Sequence, residues 1–224
     1  MNKEQFLPPP VNAPSAIHRA LVEHYQNFRS IAAGRFFETT EFALFQRFCI
    51  SQSKLEGTLP QNITLKVFSA PSDLLRLADD GYEIGTAAQY VDAIASVYPG
   101  GQLYVLIDGK SVAHYSRVIA DRRDPNFGPY IPGIGTKSDI CIGPCYTYPD
   151  FRGQGLYVLA LNAICSDARE NGTKTAFIYS ATANSSSIKG ILKADFKSIA
   201  KITRRRWLLW TMTRVTLDQG QPTR

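Results

Sequence analysis

Two glycines and an arginine stand directly before an apolar run in the stretch Asp150-Phe151-Arg152-Gly153-Gln154-Gly155-Leu156. Leu156, Leu159, Ala160, Ala163, Ile164 and Ala168 then recur at helical spacing. The first amides of a helix lack intrahelical acceptors and carry a partial positive charge. Glycines at such an entry let an anion approach the backbone without meeting a Cβ. The stretch can therefore form a phosphate cradle, in which Arg152 and the amides after it could hold a pyrophosphate. A glycine-rich turn with no ligand is the competing reading of the same residues.

Other groups with chemical potential are few. His114 lies in a strand-like segment and could act as a base, although a satisfied core histidine is the commoner outcome. The four cysteines, Cys49, Cys141, Cys145 and Cys165, are too few and too scattered for a disulfide framework. Cys141 and Cys145 sit four apart in a strand-like segment, so the alternation places them on one face, too far apart to bond easily. With no histidine nearby, no metal site is expected, and the cysteines read as buried free thiols.

The elements that must position these groups follow from the pattern. A helix is expected from Ser15, with Ile17, Leu21, His24, Tyr25 and Phe28 at helical spacing. "FFETTEFALFQRFCI" is expected to be a second helix, ending before the polar linker "SQSKLEGTLPQN". These residues read as an N-terminal helical extension, 1–61, packed on a core domain, 62–216, with a tail at 217–224. From Ile63 the rhythm changes: "ITLKVF" alternates as a strand, and "APSDLLRLADDG" reads as a short helix closed by Gly81. A further helix is expected over "TAAQYVDAIASVYPGG". Two strands flank Asp108-Gly109 as a hairpin, and an irregular loop, "DRRDPNFGPYIPGIGTKS", leads to the strand "DICIGPCYTY". The glycine-led helix runs to about Asn171-Gly172, where glycine suits the C′ position. "TAFIYS", "NSSSIKGILKA" and then "FKSIAKI" with "RRRWLLWTMTRV" complete the order as strand, helix and closing strands. The result is a mixed α/β sheet with a late βαβ unit.

The chain has 224 residues, 44% hydrophobic and 20% charged, an ordinary globular composition. No stretch approaches the ~20 apolar residues that span a bilayer, and the N-terminus lacks a secretory apolar core, so a cytoplasmic location is expected. The net charge of +6 suggests an anionic partner. "KITRRRWLLW" combines cations with stacking surface, but a strand sends its arginines to opposite faces, so neither a nucleic-acid nor a membrane partner is expected from it.

"YTYPDFRGQGLYVLALNAI" resembles the acyl-CoA-binding signature of the GNAT N-acetyltransferase superfamily. That signature is Arg or Gln, two residues, Gly, one residue, then Gly or Ala, at the start of a helix after a central strand. Arg152 and Gly155 match it, and Tyr157 stands where the last small residue is expected. "NSSSIKGILKADFKSIAKI" resembles the family's later helix, with Asn184 in place and Asp195 where glycine usually precedes Phe196. The resemblance covers about residues 63–215 and implies a mostly antiparallel central sheet of about six to seven strands, flanking helices and a splayed central strand.

It implies acetyl-CoA, or another acyl-CoA, as co-substrate and a small-molecule primary amine as acceptor, and leaves a homodimer open. Backbone groups of Cys145, Tyr146 and Thr147 would pair with pantetheine. Amides of Arg152, Gly153, Gln154, Gly155, Leu156 and Tyr157 would take the pyrophosphate, and Asn184 and Ser187 would face the pantetheine or thiol end. The family's usual glutamate falls at Cys141 and its usual tyrosine acid at Ile191, so both are absent. Asp139, two residues before Cys141, is the candidate base, and Tyr146 is the second catalytic candidate among Tyr146, Tyr157 and Tyr179. A catalytically silent module of the same fold, binding CoA or a partner protein, is the alternative.

Overall fold

The structure, a computed structural model, describes residues 37–49, 59–69, 73–85, 101–120, 139–207 and 210–218. The helix expected from Ser15, residues 86–100 of the helix expected over 86–101, and the loop over 121–138 lie outside the described residues. Eight strands form one sheet: β1 Phe37–Phe48, β2 Ile63–Phe68, β3 Gln102–Asp108, β4 Ser111–Ala120, β5 Asp139–Thr147, β6 Thr175–Ala181, β7 Lys197–Trp207 and β8 Trp210–Leu217. Their order is β2-β3-β4-β5-β6-β1-β7-β8. Every neighbouring pair is antiparallel except β5–β6, the parallel pair of the expected βαβ unit. Three helices are described: α1 Asp73–Asp79, α2 Leu156–Glu170 and α3 Ser185–Lys193. None of them is long and apolar enough to cross a membrane.

The segment expected to be a second N-terminal helix is instead β1, and it lies inside the sheet between β6 and β7. Phe42 and Leu44 face one apolar layer, while Ala43 and Phe45 face the other. A strand buried on both faces is apolar at successive positions and loses its period-2 signature. Residues 37–48 are thus part of the core sheet rather than of an extension packed on it, and they account for the eighth strand. The closing strands also differ from expectation. β7 runs without a break from Lys197 through all three arginines to Trp207, and β8 begins at Trp210.

The hairpin, α1 and the two later helices fall where the sequence places them. Asp108 pairs with Ser111 across Gly109 and Lys110, and Gly109 takes the positive φ that the tight turn demands. Helix α2 buries Leu156, Ala160, Leu161, Ile164, Cys165 and Ala168 on the sheet. Each large aliphatic in that set contributes roughly 1.5–3 kcal/mol on burial. The helix ends in a Schellman motif: Thr173 N–H donates to Ala168 O at 2.8 Å and Gly172 N–H to Arg169 O at 3.0 Å.

Helix α3 ends the same way, Phe196 N–H donating to Ile191 O at 3.3 Å and Asp195 N–H to Leu192 O at 3.2 Å. Asp195 therefore occupies the left-handed position, φ +60°, that glycine would fill with least strain. Ile191 and Phe196 are both buried in the main core, the apolar contact that accompanies this cap.

Candidate active site

β5 is an edge and a neighbour at once. Its parallel pairing with β6 covers only Asp139↔Thr175 through Ile142↔Ile178. Beyond that point β5 stays on β4 as far as His114↔Thr147, while β6 stays on β1 as far as Phe42↔Ala181. The two central strands therefore open into a wedge, with Gly143–Thr147 on one side and Tyr179–Ala181 on the other. This is the splayed strand that the sequence reading expected. The cause is local. Ser116 pairs with Cys145 and Val118 with Ile142, so the single residue Arg117 faces two, Gly143 and Pro144. Such a bulge bends the strand that carries the extra residue.

The bulge also overturns the expectation that Cys141 and Cys145 share a face. Ile140, Ile142 and Cys145 pack in the layer beneath α2 and α3, whereas Cys141 packs in the opposite layer with Leu44 and Phe177. One inserted residue reverses the alternation, and period-2 counting across it fails.

After β5 the chain makes a single 3-10 turn, Pro149–Phe151, and enters α2 through the two glycines. Gly153 and Gly155 have φ values of +79° and +77°, and a Cβ on either would meet nothing within 4 Å. Both glycines are thus favoured by backbone conformation, and no described residue occupies the space above them. The first α-helical bond of the turn is Leu159 N–H to Gly155 O at 3.1 Å. Among the described residues, the amides of Gly153, Gln154, Gly155, Leu156, Tyr157 and Val158 have no backbone acceptor. Six donors around an open, positively polarised helix end suit an anion with several oxygens. Arg152 is exposed beside them. Its Nε donates to Thr147 O at 3.1 Å, and its guanidinium carbon lies 5.8 Å from the Tyr146 ring centroid.

Beneath this turn the two sequence blocks meet. The Tyr157 hydroxyl lies 3.4 Å from Ser187 Oγ and also bonds the Cys145 thiol, which bonds Ser116 in turn. His114 is fully buried, with Nδ1 2.7 Å from Thr147 Oγ1 and Nε2 2.8 Å from Ser116 Oγ. A continuous series of hydroxyl, imidazole and thiol groups thus runs from Thr147 on β5 to Ser187 on α3. Asn184 caps α3, its Oδ1 accepting from Ser187 N–H at 3.1 Å and Ser186 Oγ at 2.9 Å. Burial pushes His114 down to about 3, so it is a neutral imidazole, and pushes the Cys145 thiol up to about 12. Burial likewise raises Tyr157, which stays a phenol donor.

Tyr157, the departure from the small residue of the signature, is accommodated by Gly190. A Cβ there would stand 2.6 Å from Tyr157 Cδ1, so α3 can pack on the ring only because residue 190 has none.

Of the residues named from the sequence, Cys145, Thr147, Tyr157, Asn184 and Ser187 come together under the turn formed by Arg152, Gly153, Gln154, Gly155 and Leu156. Two do not join them. Tyr146 points to the other face of β5, stacked on Tyr115 at 5.8 Å and edge-on to Tyr148 at 5.3 Å. Asp139 is buried at the closed end of the β5–β6 pairing, where its charge and that of Arg47 bear on Cys49. It is three residues from the last paired position and further from the wedge. Ser116 was not named, yet two polar residues alternating with apolar ones in "AHYSRV" were its signal. Buried Arg47 was also missed. It ties β1 to both helices, donating to Asn162 Oδ1 at 2.7 Å and Ala194 O at 2.9 Å. Among the described residues, no three His, Cys, Asp or Glu side chains gather as metal ligands.

A parallel pair that splays at a bulge, followed by a glycine-led helix on the same strand, defines a GNAT-like fold, and solved structures agree. The chain is similar to a GCN5-related N-acetyltransferase-like protein from Streptococcus suis, at TM-score 0.53 and 14% identity over 82% of this chain and 67% of that one. It is also similar to a GCN5-related N-acetyltransferase from Sphaerobacter thermophilus, at TM-score 0.51 and 10% identity over 81% of this chain and 56% of that one. The chain thus spans between just over half and two thirds of these structures. The sequence matches no protein-family model and no curated protein.

Proposed function

We propose that the protein is an N-acyltransferase that moves an acyl group, most simply acetyl, from acyl-CoA to a primary amine of a small molecule. The observation that carries this reading is the alignment of two anion- and amide-recognising features along one strand. The six amides of the Gly153–Val158 turn, which have no backbone acceptor among the described residues, suit the pyrophosphate, and the edge of β5 from Gly143 to Thr147 leads away from it into the wedge. A pantetheine arm laid along that edge would use backbone groups of Cys145, Tyr146 and Thr147 as a strand would. Its amides would pass over Asn184 and Ser187.

The reaction asks little of titrating side chains once the partners are held together. The amine nitrogen forms the new C–N bond, the C–S bond breaks, the nitrogen loses one proton and the sulfur leaves as thiol after gaining one. Holding amine and thioester in line can supply much of the rate. Tyr157 replaces the hydroxyl that Ile191 lacks: it reaches the α2–α3 seam from the other helix and remains protonated, able to donate to the departing sulfur. Asp139 lies at the closed end of the sheet and is not assigned the base.

Calorimetric titration with acetyl-CoA and free CoA, followed by thiol release across a panel of primary amines, tests the reading. Micromolar binding with amine-dependent release supports it. Binding without release on any amine favours a silent CoA-binding module, and no binding refutes the acyl-CoA reading outright.

A further inference from the structure

The outer hairpin of the sheet exposes the largest apolar side chains described in the molecule. Trp207 is 61% exposed, Trp210 79% and Met212 69%. Their registers place them together: Trp207 pairs with Trp210, Arg205 with Met212 and Thr203 with Arg214. Cross-strand partners share a face, and alternate residues along each strand repeat it. One face of β7–β8 therefore presents Trp207, Trp210 and Met212 with Arg205 and Arg214, both exposed. β8 is the last strand of the sheet, so this face sits at the sheet's rim.

Arg206, on the opposite face, is bridged to Glu38 at 3.7 Å, and Lys201, further along the same face as Arg205, is bridged to Glu41 at 2.7 Å. Among the described residues, Arg205 and Arg214 have no carboxylate partner. The sequence reading set a membrane aside because alternation separates the arginines of "RRRW". The alternation holds, but β8 returns Arg214 to the side of Arg205. The outcome is an apolar patch of two tryptophans and a methionine flanked by two cations that no described carboxylate pairs, on a chain of net charge +6.

We propose that this face docks on an anionic lipid bilayer, with Trp207, Trp210 and Met212 in the interfacial layer and Arg205 and Arg214 against lipid phosphates. Tryptophan favours that layer because its ring is apolar with one polar edge. The flanking cations complement the negative surface potential of such a membrane. Met212 adds aliphatic area on which nucleobases do not stack, which favours a lipid surface over a nucleic-acid strand. This inference does not depend on the acyltransferase reading.

The chain contains only two tryptophans, Trp207 and Trp210, so its tryptophan fluorescence reports this patch alone. The test uses the full chain titrated with vesicles of equimolar phosphatidylcholine and phosphatidylglycerol. We expect quencher-accessible emission without lipid, a saturable shift to shorter wavelength with anionic vesicles, and reversal by high salt. The pair Arg205→Glu and Arg214→Glu should weaken vesicle affinity at least twentyfold, since each basic group near an anionic surface is worth about 1 kcal/mol, or roughly fivefold. Circular dichroism confirms that this double variant is folded.

Several results would overturn the proposal. Emission already shielded in the free chain at every concentration would mean that another part of the same chain covers the patch. Shielding that grows with protein concentration would assign the face to a second copy. Equal shifts on vesicles of phosphatidylcholine alone would remove the role of charge. Quenching by single-stranded RNA with no response to vesicles would assign the face to nucleic acid.

Discussion

Gly155 and Gly172 provide a matched pair of perturbations at the two ends of one helix. Both have left-handed backbone, φ +77° and +76°, and at both a Cβ would meet nothing within 4 Å. Alanine at either position costs the same backbone strain, roughly 1–2 kcal/mol. Part of that is offset by the lower entropy of the unfolded chain, about 0.4–1 kcal/mol. Gly155→Ala and Gly172→Ala should therefore each lose roughly 1 kcal/mol of stability, a fall in Tm of about 2–4 °C for a chain of this size.

Their effects on ligand should diverge. At position 155 the new methyl stands over the open amides of the turn, where a pyrophosphate must approach within hydrogen-bond distance. Losing one or two charge-assisted donors forfeits about 1.5–3 kcal/mol each, tenfold or more in Kd. At position 172 there is no ligand to obstruct, and its Schellman bonds lie at the far end of α2. Calorimetric titration of CoA into wild type and both variants separates strain from obstruction. Equal Kd values for all three proteins, or equal losses in both variants, would refute the placement of the pyrophosphate.

Three other perturbations probe the site and its supports. Tyr157→Phe should leave CoA affinity within about twofold and lower amine-dependent thiol release about a hundredfold, the low end for loss of a proton donor; unchanged turnover would return Tyr157 to a packing role. His114 is held neutral, with its pKa lowered from 6.5 to about 3, so below pH 6.5 the unfolded chain binds a proton that the native one refuses. Stability is therefore fully present above pH 6.5 and falls as pH drops toward 3, by at most ~1.4 kcal/mol per pH unit. Urea unfolding across that range should show this slope in wild type and its loss in His114→Gln. Asp195→Val puts a β-branched residue at φ +60° and should lower stability by about 1–2 kcal/mol, while Asp195→Gly keeps it near wild type, both read by thermal melting.

What the sequence made legible was local. The hairpin at Asp108, the short α1, and the glycine C′ end of α2 depend on residues within one turn of each other, and each fell in place. The glycine-led entry to α2 was legible for the same reason, since Arg152 through Tyr157 form one contiguous turn. What failed depended on neighbours far along the chain. β1 reads as a helix because β6 and β7 and the layers above and below them bury both of its faces, and nothing within residues 37–48 announces those partners. The positions of Cys145 and Tyr146 failed for a subtler reason. A single bulge opposite Arg117 inverts every face assignment after Gly143, turning Cys145 inward and Tyr146 outward.

The same logic explains why Tyr157 looked like a departure from the signature and Gly190 like an unremarkable helix residue. Each has its reason in the other, thirty-three positions away, where a missing Cβ makes room for a ring. Tyr157 on α2 thus packs against α3 and brings a phenol beside Cys145 and Ser187. Motif matching scores Tyr157 as a defect and passes over Gly190. Packing joins the two into one arrangement, and that arrangement is the part that only the fold could supply.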